Sequence, residues 1–126
     1  MDGNPPTEDV TGSVGLVISN GITKLHRQYY GRGAAKSRTL VGRDHVVVFM
    51  DDIYTTVERT LIDAGNFDSV AATRQAFQQV MREPFSAVVE NATGRTVTAF
   101  MSQVHKNPDL SVEMFALQPK PSAGGE

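Results

Sequence analysis

Ser37-Arg38-Thr39-Leu40-Val41-Gly42-Arg43-Asp44-His45-Val46-Val47-Val48-Phe49-Met50-Asp51 reads as a β-hairpin. Val46 to Met50 is a β-branched and aromatic run, which suits a strand. Ser37–Val41 supplies the partner, and the three residues Gly42-Arg43-Asp44 are a connection of hairpin length that contains glycine. Everything else in the chain is placed relative to this pair of strands.

Upstream, Val14, Ile18, Ile22, Leu25 and Tyr29 are spaced 4, 4, 3 and 4 apart, which predicts a helix from about Gly12 to Tyr30 with one apolar stripe. That stripe suits packing on the sheet or a self-association seam. Gly15 and Gly21 each cost the helix roughly 1 kcal/mol relative to Ala, so a close approach by a neighbour is expected there. Gly31 ends the helix, because a residue without a Cβ adopts positive φ at little cost.

Downstream, Thr55-Thr56-Val57-Glu58 has the capping-box pattern and opens a short helix through about Ala64. A longer helix is predicted from Asp68 to Ala92, carrying Val70, Phe77, Val80, Met81, Phe85, Val88, Val89 and Ala92 on its apolar side. Pro84 should kink or restart it, since its nitrogen cannot donate and its ring crowds the preceding turn. Arg95–Val104 and Leu110–Leu117 then form a second hairpin around Lys106-Asn107-Pro108-Asp109. The order is α-β-β-α-α-β-β, an α+β fold in which two hairpins make a four-stranded antiparallel sheet with helices on one face. Helix-Gly-Arg-hairpin occurs twice, at Gly31-Arg32 and Gly94-Arg95. Residues 12–117 form the single expected domain, between flexible tails at 1–11 and 118–126 that are rich in proline, glycine and polar residues.

With 126 residues, 40% hydrophobic and 21% charged, the chain carries one modest core. The absence of cysteine excludes disulfides, thiolate nucleophiles and Cys-ligated metals. The longest purely apolar run, Val46–Met50, is far below the roughly 20 residues that span a bilayer. The start of the chain lacks the charged and apolar parts of a secretory signal. A cytoplasmic protein without a membrane span is the expectation.

A net charge of -2 argues against general nucleic-acid binding. The distribution is uneven. Between Val10 and Arg43 no acid occurs, while Lys24, Arg27, Arg32, Lys36, Arg38 and Arg43 give +6; the remainder carries six bases and fourteen acids, or -8. Either these cations pair with acids from the second half, or they form a patch that attracts anions. Lys24, Arg27, Arg32, Gly33, Lys36 and Arg38 are the candidate anion- or partner-binding residues.

Gly31-Arg32-Gly33-Ala34-Ala35-Lys36 is open to two readings. It is a helix cap and connector, or its glycines turn backbone amides toward an anion beside Arg32 and Lys36. It is not a phosphate-binding P-loop, because it follows a helix and leads into a strand. His26, His45 and His105 form no helical metal pair, and Asp51-Asp52 on a strand point to opposite faces. Asp51-Asp52 is expected to oppose the neighbouring helix N-terminus instead. Gly12-Ser13-Val14-Gly15 lacks the strand that a nucleophile elbow requires. No catalytic residue, metal ligand or cofactor is assigned.

Four segments together resemble a known family: Leu25-His26-Arg27-Gln28-Tyr29-Tyr30-Gly31-Arg32-Gly33, the Val46–Met50 strand, Thr55-Thr56-Val57-Glu58-Arg59-Thr60-Leu61, and Thr93-Gly94-Arg95-Thr96-Val97-Thr98-Ala99-Phe100. They resemble the small bacterial family of the MpsC component of a Na+-translocating, membrane-potential-generating system. The resemblance runs from about Ser13 to Leu117. Ala34 stands where the family usually has proline, and Pro84 falls in a helix generally uninterrupted there. The resemblance implies a soluble accessory role beside a cation-translocating membrane complex. The combined expectation is a non-enzymatic accessory or regulatory domain, a homodimer, docking on its partner through the basic helix and loop. The alternative is a binding domain for a phosphorylated or carboxylated metabolite.

Overall fold

A computed structural model describes residues 12–32 and 36–120. The elements are α1 (Ser13–Tyr30), β1 (Lys36–Val41), β2 (His45–Asp51), α2 (Thr56–Asp63), α3 (Phe67–Thr93), β3 (Val97–His105) and β4 (Leu110–Leu117). The predicted order and the antiparallel sheet of two hairpins are both present, with strand order β1-β2-β4-β3. The central pairing, β2 with β4, joins the hairpins. The fold is thus two α-β-β units whose second strands meet mid-sheet, with α2 inserted between them.

The two Gly-Arg pairs do the same work in each unit. Gly31 and Gly94 end α1 and α3 with φ of 80° and 72°, and their amides donate to Arg27 and Glu90 carbonyls. The arginine that follows then anchors the helix end to the rest of the fold. Arg32 donates to the Tyr54 carbonyl and Asp52, while Arg95 donates to Asp44 and to the Gln118 and Arg43 carbonyls.

All three helices lie on one side of the sheet. The core on that side joins Ile18 and Ile22 of α1, Val70, Met81, Phe85 and Val89 of α3, and Val46, Val48, Met50, Phe115 and Leu117 of the central strands. The α1 stripe therefore packs inward at Ile18 and Ile22, while its outer members Val14 and Tyr29 stay exposed. α1 and α3 approach closely at Gly21: a Cβ there would sit 2.7 Å from Val88 Cγ1.

Two expectations need correction. The helix does not restart at Pro84; α3 is one helix of 27 residues. The carbonyl left without a donor is that of Val80, a residue on the solvent side of α3, where an unpaired carbonyl costs little. For the same reason Val80 is not a core residue. The inward positions of α3 are Val70, Arg74, Gln78, Met81, Phe85 and Val89, spaced 4, 4, 3, 4 and 4. Two of the six are polar.

Candidate functional site

The basic segment supplies α1 and the edge strand β1, which lie against each other. Two hydroxyl contacts fix that seam: Ser19 Oγ to Thr39 Oγ1 at 2.7 Å, and Thr23 Oγ1 donating to Ser37 Oγ at 2.9 Å. Lys24 and Arg27 stand on the exposed side of α1, and Lys36 and Arg38 are exposed on β1. Among the described residues none of these four has a carboxylate within ion-pair distance. Arg38 instead rests on the outward Phe49, its guanidinium carbon 5.5 Å from the ring centroid. A depression of about 350 Å3 opens at this edge, lined by Lys36, Ser37, Arg38, Phe49 and Asp51. Gly33, with Ala34 and Ala35, lies outside the described residues.

Arg32 departs from the group. Its guanidinium is held by Asp52 at 2.8 Å and by the Tyr54 carbonyl at 2.7 Å. Asp52 does not simply face a helix N-terminus; its backbone turns left-handed, φ 57°, and its carboxylate bridges Arg32 and Arg59. Arg59 continues to Asp109 in the β3–β4 turn. Asp109 in turn accepts from the Ile53 amide at 2.8 Å. Both guanidiniums hold the exposed Asp52 carboxyl below the usual carboxylate range. This chain locks the end of β2 to the far hairpin.

A second cluster lies beneath it, at Arg74, which is almost wholly buried. Its guanidinium makes two bonds to Glu58, 2.6 and 2.7 Å, and one to the Ile53 carbonyl at 2.8 Å. Its guanidinium carbon sits over the Tyr30 ring, 3.7 Å from the centroid, so the charge is met by a π-face as well as a carboxylate. Glu58 also accepts from the Thr55 amide, so the capping-box acid of α2 serves the core at the same time. Burial alone would raise Glu58 and lower Arg74; their mutual hydrogen bonds outweigh it, and both shift toward the charged form.

His26 closes the cluster. Its Nδ1 lies 2.9 Å from the Arg32 carbonyl, so Nδ1 carries the proton and donates. Nε2 is then free to accept from Arg74 at 3.2 Å. Both contacts fit neutral imidazole, in agreement with burial lowering the pKa of His26. Burial also pushes the Tyr30 phenol up to about 12.

Glu113 is a different case. It sits on the central strand β4, fully buried beneath the helices, paired with Val48 on one side and Ser102 on the other. Among the described residues neither of its carboxylate oxygens has a hydrogen-bond partner, and the Ser102 and Ser111 hydroxyls are also unpaired. Burial pushes its pKa up to about 8, with the two hydroxyls and the Arg74 charge pulling partly back. Burial thus favours its protonated form.

Arg74 and Glu113 do not stand out in the sequence, and Glu58 is read there only as a capping-box acid and His26 only as a histidine outside any metal pair. A signal existed for Arg74: it falls on the 4-4-3-4-4 spacing of α3, which a search restricted to apolar residues passes over. Glu113 offered none, because an acid in an alternating strand reads as its solvent side. Among the described residues no three His, Asp or Glu side chains are grouped to hold a metal. No described helix is long and apolar enough to cross a membrane.

A model of the family described as "Na+-translocating membrane potential-generating system (MpsC)" matches residues 11–119. "Uncharacterized protein YbcI" of Bacillus subtilis (strain 168) is 25% identical over 109 residues, which cover 84% of this chain and 86% of that protein. No solved structure matches the chain.

Proposed function

Since the chain belongs to the MpsC family, we propose that it is a non-enzymatic accessory domain of a cation-translocating membrane complex, docking through the basic side formed by α1 and β1. The family description supports the setting, which would be cytoplasmic. The observation that supports the surface is the arrangement of Lys24, Arg27, Lys36 and Arg38. Lys24 and Arg27 lie on α1 and Lys36 and Arg38 on the adjoining edge strand, pointing to its far face, and no described acid pairs with them. Arg32 is left out of the docking set, because Asp52 offsets its charge and the Tyr54 carbonyl takes a second of its donors. Exposed cations steer association more than they set affinity, so the contact should weaken with salt.

The depression beside Lys36 and Arg38 favours a second reading, a site for a small anionic metabolite. One pair of measurements separates them. The Lys24→Glu/Arg27→Glu/Lys36→Glu/Arg38→Glu chain should melt within a few degrees of the wild type and lose a membrane protein that the wild type retains from native membrane fractions. Equal capture by both chains refutes docking at this surface. Inorganic phosphate or nucleotides that raise the wild-type melting temperature in a concentration-dependent way, and not that of the variant, favour the metabolite.

A further inference from the structure

The side of the sheet turned away from the helices is apolar at its centre, bounded by Lys36, Asp51 and His105 at one end and His45 at the other, and uncovered by any described residue. The register aligns Leu40, Val47, Met114 and Met101 in one row across all four strands. The next row is Arg38, Phe49, Val112 and Gln103. Their parity is opposite to that of the buried Val46, Val48, Met50, Phe115 and Leu117, so they point outward. Met101 is 55% exposed and its row neighbours are partly exposed. A contiguous apolar face of this kind marks an association surface.

We infer that a second copy of this chain docks here, sheet against sheet. Its rows are self-complementary under a two-fold axis running along the strands between β2 and β4. That rotation lays the β1 edge of one copy over the β3 edge of the other. Leu40 then meets Met101, Val47 meets Met114, Phe49 meets Val112, and Arg38 meets the neutral Gln103 rather than another Arg38. The middle of the face carries no charge that a different, charged partner would read. Four strands about 4.8 Å apart and about seven residues long give a face of roughly 19 by 23 Å. Two such faces, packed about 10 Å apart, bury on the order of 1,000 Å2 in total, the lower limit for a specific interface. The dimer is therefore weak and concentration-dependent. It uses a surface other than the α1 stripe, and it does not rest on the docking reading above.

Sedimentation velocity on the full chain from about 1 to 500 µM tests this, together with 13C-methyl spectra of the methionines over the same range. A monomer–dimer equilibrium is expected, with concentration-dependent shifts at the outward Met101 and Met114 and not at the buried Met50 and Met81. Met101→Lys should weaken it at least tenfold. Val47→Thr, which keeps the β-branched shape, should weaken it measurably, and serves if the lysine variant misfolds. A chain reversed only at Lys24 and Arg27, which lie on α1 and off this face, should dimerise as the wild type does. A chain that stays monomeric at 500 µM overturns the inference, as does a dimer unchanged in both folded variants. It is equally overturned if removing residues 1–11 or 121–126 creates dimerisation that the full chain lacks, which would make the chain's own end the occupant.

Discussion

The two faces of the sheet are arranged against expectation. The face covered by helices carries a polar row, Thr39, Glu113 and Ser102 with Val48 among them, and a second with Ser37 and Ser111. The uncovered face is built from Leu40, Val47, Phe49, Val112, Met114 and Met101. Burial here follows where the helices lie, not where the polar side chains are. The covered face pays for this arrangement unevenly: Ser19 and Thr39 satisfy each other across the α1–β1 seam, whereas burial favours the protonated form of Glu113, which has no partner among the described residues. The open face keeps apolar surface that a monomer leaves in water.

The contrast can be broken most severely at Arg74, the charge that the covered side does accommodate. Arg74→Met leaves Glu58 buried opposite an apolar chain and should cost about 3–5 kcal/mol in chemical denaturation. The double variant with Glu58→Gln should recover part of that loss, because no unpaired charge remains.

Glu113→Gln sharpens the contrast. The folded-state pKa of Glu113, about 8, is raised above the unfolded value of 4.5, so its contribution is fully present below pH 4.5 and is lost as pH rises to 8. His26 has a lowered pKa and costs stability as pH falls below 6.5, which opposes the Glu113 trend between 4.5 and 6.5. The window from 6.5 to 8 therefore isolates Glu113. Wild-type stability should drop by about 2 kcal/mol across it and that of Glu113→Gln should stay nearly level, as followed by urea midpoints at each pH.

The smallest effect compares neighbours on β2. Val48→Ala on the covered face should cost about 2 kcal/mol at any protein concentration. Val47→Ala on the open face should cost under about 1 kcal/mol in dilute solution, with a larger loss at high concentration where the second copy covers it. Equal, concentration-independent losses would erase the distinction between the faces.

The elements themselves were legible. The Thr55–Glu58 capping box forms as read, and the predicted strand His45–Asp51 has the observed bounds. The cationic segment was legible as a segment, but not the withdrawal of Arg32, because Asp52 lies twenty residues away and turns toward it only in the folded chain. Arg74 was hidden by a search for apolar spacing. α3 does not restart at Pro84, because a missing hydrogen bond on the water side of a helix costs less than one inside the fold.

By itself the sequence determined which segments are helices and strands, with small shifts at their ends such as β3 starting at Val97 rather than Arg95, since caps, glycines and local periodicity act over a few residues. It could not determine which side of the sheet is inside. Val46–Met50 is apolar at both parities, and Leu110–Leu117 puts Leu110, Val112, Met114 and Ala116 at one parity and Ser111 and Glu113 with Phe115 and Leu117 at the other. A rule of polarity alone would bury the first set. Tertiary structure buried the second, because α1 and α3 each cross to the same side of the sheet, and the large side chains Phe85, Phe100 and Phe115 fill the space between them.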